Sequence, residues 1–229
     1  MSVLDRELSE LKQKILKMGG CVERAIEEST AMLLKSDPNR LDRVFEFEAN
    51  VNLAHVDIDE TCFKLIAQKA PVAKDLRFIL SVIKINTDLE RMGDQAVNIG
   101  QNAKRALGGP DLGLMGLIEE MALLVKSVVR QALDSFVQSN LELAKGVLDR
   151  DDEVDQLKKQ VLDLATVEMQ KTTKNVDVGI TLILVARNLE RLGDHATNIA
   201  EDVIFSKTGK DIRHGGRGAQ SVGFGDSEW

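Results

Sequence analysis

The chain has 229 residues, 43% hydrophobic and 29% charged, which is enough apolar material for a packed core and too much for a disordered chain. A formal charge of −7 offers no polycationic surface for phosphate backbones and so disfavours general nucleic-acid binding. No stretch reaches the roughly 20 uninterrupted apolar residues of a membrane helix, and the start, MSVLDRELSE, is acidic where a secretion signal is basic and then apolar, so a cytoplasmic address is expected.

With no Tyr, one Trp and three Pro, and with Leu, Val, Ala, Glu, Lys and Asp dominant, the composition predicts an all-α fold. The breakers divide the chain into six long helices. The first runs from about Val3 to Lys35 and stops at Asp37-Pro38. The second continues to about Lys69, and Pro71 opens a third that reaches Ala106. Leu107-Gly108-Gly109-Pro110-Asp111 is the strongest break. A fourth helix spans about Leu114 to Val137, and Ser139-Asn140 caps the start of a fifth that ends near Gln170. Polar residues from Lys171 to Asn175 then lead into a sixth, which runs to about Lys207.

Helices of about 30 residues are rods of roughly 45 Å. Joined by short turns they must pack antiparallel, so the expected architecture is two tandem three-helix bundles. The first bundle is expected over 1–107, a linker over 108–113 and the second bundle over 114–208. Residues 209–229 hold six glycines and little apolar periodicity, which reads as a flexible tail. Cys21 and Cys62 are too few for a metal knuckle or a disulfide framework and read as small buried helix residues.

The third and sixth helices share a repeat. Leu89-Glu-Arg-Met-Gly-Asp-Gln-Ala-Val-Asn-Ile-Gly100 returns as Leu189-Glu-Arg-Leu-Gly-Asp-His-Ala-Thr-Asn-Ile-Ala200, identical at eight of twelve positions. Such an interval implies duplication of a whole three-helix unit and pseudo-twofold symmetry. Ile85, Leu89, Met92, Ala96 and Ile99 form an apolar stripe at helical spacing, matched by Val185, Leu189, Leu192, Ala196, Ile199 and Val203. Beside each stripe runs a strip of oxygen: Glu90, Asp94 and Asn98 in one half, Glu190, Asp194 and Asn198 in the other. Gly93 and Gly193 cost about 1 kcal/mol each relative to Ala inside a helix, so a neighbouring helix or a ligand must come close there.

Carboxylates one turn apart repel and a cation reverses that penalty. Carboxylates with amide oxygens suit magnesium, calcium, manganese or iron rather than zinc or copper. Arg91 and Arg191 offer a competing way to neutralise them. Further oxygen can come from Glu48 and Asn52 on the second helix and from Asp151 and Asp155 on the fifth, although the run from Asp149 to Asp155 also fits an ordinary solvated acidic face. A di-iron oxidase needs Glu-x-x-His pairs, and none occurs. There is no phosphate-binding glycine loop, no Gly-x-Ser-x-Gly elbow and no Cys-His pair with readable context, so an enzyme is not expected.

The sequence LERMGDQAVNI with LERLGDHATNIAEDVIF, together with APVAKDLRFILSVIKINTDLERMGD, resembles the PhoU family, accessory regulators of phosphate-specific transport, over about residues 1–208. The resemblance implies two tandem three-helix bundles whose motif residues, here Glu90, Asp94, Glu190 and Asp194, hold iron or other metal ions. It also implies a cytoplasmic homodimer that keeps the phosphate-starvation response off by coupling the phosphate ABC transporter, through its ATPase subunit, to a sensor histidine kinase. Such a protein reaches the membrane only through its partners. His55 stands where relatives often carry an acid, Gln95 answers His195, and Pro71 to Arg77 has no counterpart at Lys171 to Asp177, so the two halves are not expected to be equivalent. The alternative is a helical scaffold or metal-binding bundle acting through other partners.

Overall fold

The computed structural model describes residues 3–212. The expected tail from residue 213 onward, and His214 with it, lies outside the described residues. Among the described residues there are seven α-helices and one 3-10 turn: α1 (Val3–Leu34), α2 (Arg40–Lys69), α3 (Ala73–Ala106), α4 (Met115–Gln138), α5 (Leu141–Leu148), α6 (Asp151–Lys171), the turn at Thr173–Asn175, and α7 (Val176–Thr208). The fold is all-α.

Helix ends follow the punctuation of the sequence. Asp37 Oδ1 accepts the Asn39 N–H at 3.2 Å, so the acid shapes the turn before α2 rather than capping the helix itself. The α2–α3 connection bends at Ala70 (φ 43°) and Ala73 (φ 40°) around Pro71, and α3 starts just beyond the proline. Asn140 takes the Glu142 and Leu143 amides on its side chain at 2.9 and 3.3 Å, the capping geometry expected of Asn before a helix.

One expectation fails. The single helix predicted from Asn140 to Gln170 is two, α5 and α6, with the change at Asp149-Arg150. No glycine or proline marks it; instead the Arg150 amide bonds back to Val147 and Glu153 to Arg150, a tightening to three-residue spacing. Asp151, Asp152 and Glu153 crowd the first turn of α6, where the positive end of a helix favours acids. Arg150 Nη1 donates to Ser127 Oγ at 2.9 Å and ties the junction to α4.

Helices α1, α2 and α3 pack on one another, and α4 to α7 do the same. The two sets lie side by side along a seam of α3 against α7 and α1 against α4. Both predicted apolar stripes are buried, Ile85, Leu89, Met92, Ala96 and Ile99 on α3 and Val185, Leu189, Leu192, Ala196, Ile199 and Val203 on α7. They belong to one hydrophobic cluster that runs through both sets, each large aliphatic contributing roughly 1.5–3 kcal/mol on burial. The connection after α3 is held against α7, since a Cβ on Gly109 would stand 2.3 Å from Val178 Cγ2. Cys62 is buried and Cys21 half-buried; burial, with Asp59 nearby, pushes the Cys62 thiol up to about 12.

Candidate functional site

The glycines of the repeat bring helices together. A Cβ on Gly93 would lie 3.3 Å from Val51 Cγ1 and 3.9 Å from Glu48 Cγ, both on α2. On Gly193 it would lie 3.4 Å from Val154 Cγ1 on α6. A neighbouring helix thus comes near at both, tightly enough at Gly93 that a methyl group would demand a small shift, and at ordinary contact distance at Gly193. This contact also registers the two halves: Val51 answers Val154, so that Glu48 answers Asp151, Asn52 answers Asp155 and His55 answers Lys158.

In the second half, Asp151 and Asp155 on α6 face Glu190 and Asp194 on α7, and the four carboxyls feel one another's charge. Asp194 is exposed on one side, while partial burial first, then Glu190, Asp151 and Asp155, push its carboxyl above the usual range. Asp151 is pushed up by burial and by Asp155, Asp152 and Glu190, against the opposing hydrogen bond from Thr197 Oγ1 at 3.3 Å. The counter-charge is a residue the sequence reading missed. Lys158 Nζ lies 2.6 Å from Asp155 Oδ1 and 2.8 Å from Glu190 Oε1. Burial works to lower its ammonium, but the hydrogen bonds to Asp155 and Glu190 carry it above the usual lysine range. Arg191, the neutralising group considered from sequence, forms no ion pair among the described residues.

The first half is built differently. Asn52 Nδ2 donates to Glu48 Oε1, Glu48 and Glu90 are half-buried, and Asp94 and Asn98 are exposed. His55 turns away from this ladder: its Nδ1 lies 3.4 Å from the Asn86 carbonyl and its Nε2 3.6 Å from Asp59 Oδ2. Buried Asn86 closes the set by donating to the His55 carbonyl at 3.0 Å and to Asp59 Oδ1 at 2.9 Å.

Across the seam, buried Asp88 on α3 receives two groups from α7, His195 Nδ1 at 2.8 Å and Asn198 Nδ2 at 3.1 Å. Asn198, expected to add oxygen to the carboxylate strip, donates its Nδ2 to Asp88 because the seam passes that face of α7; its Oδ1 takes no part in that bond. The link exists in one direction only, since Asn188 stands where the repeat would place a second Asp88 and Gln95 where it would place a second His195. Beside it opens a polar groove of about 720 Å³ lined by Arg91, Gln95, Arg191, Asp151, Asp194 and His195 among others.

The repeated halves have counterparts in known proteins. The PhoU domain model matches this chain twice, over residues 15–103 and 118–203. The chain belongs to the PhoU family. It is 34% identical over 212 residues to the phosphate-specific transport system accessory protein PhoU homolog of Pseudomonas putida, covering 92% of this chain and 82% of that protein. It is 36% identical over 211 residues to the Aquifex aeolicus PhoU homolog, covering 92% and 96%. The crystal structure of PhoU from Pseudomonas aeruginosa superposes with a TM-score of 0.86 at 32% identity, over 90% of this chain and 99% of that one. The Pseudomonas putida and Aquifex aeolicus relatives are named as accessory proteins of phosphate-specific transport.

A metal in a PhoU bundle calls for hard oxygen donors converging on one point. The donor chemistry fits: Glu48, Asn52, Glu90 and Asp94 in one half, Asp151, Asp155, Glu190 and Asp194 in the other. Their present arrangement is less open. Among the described residues no three Asp, Glu, His or Cys side chains gather closely enough to hold an ion, and in the second half Lys158 supplies the positive charge.

Proposed function

We propose that this protein is an accessory regulator of phosphate-specific transport that works in the cytoplasm as a homodimer. It holds the phosphate-starvation response off by coupling the ATPase subunit of the phosphate ABC transporter to a sensor histidine kinase. The observation that supports this reading best is the double PhoU match, each copy carrying its own Leu-Glu-Arg-x-Gly-Asp turn, together with relatives named as phosphate-specific transport accessory proteins. No helix among the described residues is long and apolar enough to cross a membrane, which agrees with a protein that meets its transporter from the side. The halves 1–107 and 114–208, joined by 108–113, act as paired units.

Within this reading the carboxylate ladders bind iron, manganese, magnesium or calcium, with Glu90 and Asp94, supported by Glu48 and Asn52, as the ligands of the first half. In the second half the ligands are Glu190, Asp194, Asp151 and Asp155. A hard cation there would offset the repulsion between carboxylates one turn apart and clamp α2 to α3 and α6 to α7. Deleting the gene in cells grown with abundant phosphate tests the regulatory role. Expression of phosphate-scavenging functions should rise several-fold and return to the wild-type level on complementation; unchanged expression would overturn it.

A further inference from the structure

The Pro71–Arg77 segment, which has no counterpart in the second half, leads to a corner where the two halves meet. A cavity of about 360 Å³ opens there between the early turns of α1, the first turns of α3, the end of α7 and Ser139 after α4. Gly209 ends α7 against this segment, since a Cβ on it would stand 3.8 Å from Arg77 Nε. Three lysines from three helices line the cavity: Lys12 of α1, Lys74 of α3 and Lys207 of α7. None of them forms an ion pair among the described residues. Lys12 is half-buried, and burial first, then the charge of Lys207, lowers its ammonium below the usual lysine range. What it meets instead is the Phe136 ring at 5.8 Å, a modest attraction. No side chain caps the start of α3, so the positive end of that helix adds to the same field.

Like charges gathered at one partly dry cavity disfavour one another, and an anion between them reverses that penalty. The hydroxyls of Ser9, Ser139 and Ser206 line the same space and supply neutral donors. Two carboxylates, Asp5 and Asp75, line it too, and they narrow the choice of anion. A carboxylate repels an anion that has no proton, but it accepts a hydrogen bond from one that keeps an O–H. Hydrogen phosphate keeps such a group at neutral pH, sulfate has none, and a phosphate monoester has largely lost it, its second pKa being about 6. We infer that Lys12, Lys74 and Lys207 form a binding site for hydrogen phosphate, assembled from both halves of the chain, in which half-buried Asp75 accepts the hydrogen bond of the anion's remaining proton. The site is separate from the carboxylate ladders of α2, α3, α6 and α7 and does not depend on them. It also gives the unmatched Pro71–Arg77 segment a purpose, because that segment carries both Lys74 and Asp75 to the cavity.

Calorimetry on the full-length chain near neutral pH tests it, with inorganic phosphate, sulfate and AMP as titrants. Wild type should bind a single phosphate per chain, and sulfate and AMP about tenfold more weakly or worse. Lys12→Met and Lys207→Met, which keep the apolar stem and remove the charge, should each weaken phosphate about tenfold or more. Asp75→Asn should narrow the preference for phosphate over sulfate, and Lys145→Met on α5, which has no part in the cavity, should behave as wild type. Loss of fold is separated from loss of the site by melting: without phosphate Lys12→Met should melt no lower than wild type, having shed a repelled and partly buried charge, whereas added phosphate should raise the melting temperature of wild type and leave that of Lys12→Met in place. Tighter binding of AMP than of phosphate, or equal binding of sulfate, would overturn the assignment to hydrogen phosphate. Unaltered phosphate affinity in both lysine variants, or no phosphate binding by wild type, would overturn the site itself.

Discussion

Asp151 and Asp194 have carboxyls held above their ordinary range, mainly by loss of water and then by neighbouring acids. A carboxyl whose folded-state value is raised binds protons more readily folded than unfolded, so it lowers stability once the pH exceeds its folded value and ceases to do so as the pH falls to the ordinary aspartate range near 3.8. In chelator, Asp194→Asn should therefore melt at a higher temperature than wild type at neutral pH, with the difference shrinking to nothing as the pH approaches that range. A difference independent of pH would show that charge is not its cause. The carboxylates themselves were legible, because their repeat at helical spacing put them on one strip. Lys158 was not, since a single lysine on an acidic helix is indistinguishable in sequence from any solvated i, i+3 partner. Asp88 was hidden for the opposite reason: it interrupts an apolar stretch, and its partners His195 and Asn198 lie in the other half of the chain.

Helix ends carry the next prediction. Ala70 closes α2 in a left-handed conformation with φ 43°, where a Cβ is strained and glycine is not. Ala70→Gly should stabilise the protein by up to about 1 kcal/mol, while Asn140→Ala, which removes the cap from α5, should cost about 1 kcal/mol, both read from urea denaturation. Most element boundaries were legible because Pro71, Gly108-Gly109, Ser139-Asn140 and Gly209 are breakers with a mechanism. The α5–α6 change escaped notice because Asp149 and Arg150 stay close to helical dihedrals, and only the crowding of acids in the turn that follows distinguishes it. The glycines of the repeat are of mixed consequence. Gly193 leaves ordinary contact distance for a methyl group at 3.4 Å from Val154, whereas at Gly93 the 3.3 Å approach of Val51 demands a small shift.

Over the whole molecule, the seam decides how the halves answer each other. Duplication was visible in the sequence, and so were the two bundles, but whether they lie end to end or side by side was not, because an apolar stripe at helical spacing says that a face is buried and not which helix covers it. Asp88 is one polar point of that seam, with the Lys84–Asp202 pair at 3.5 Å and the Lys126–Glu27 pair at 2.8 Å as others. Asp88→Ala would leave the half-buried Asn198 amide and His195 imidazole without their shared acceptor and should cost about 1 kcal/mol, with unfolding still a single transition because one hydrophobic cluster spans both halves. Two separate unfolding steps in the wild type would contradict that continuity. Asp194 and His195 are consecutive residues, yet one sits among the carboxylates of α6 and α7 while the other is tethered to α3. One turn of α7 is thereby shared between two neighbours, its Asp194 facing the acids of α6 and its His195 the buried acid of α3, so whatever fixes the position of one side chain fixes that of the other.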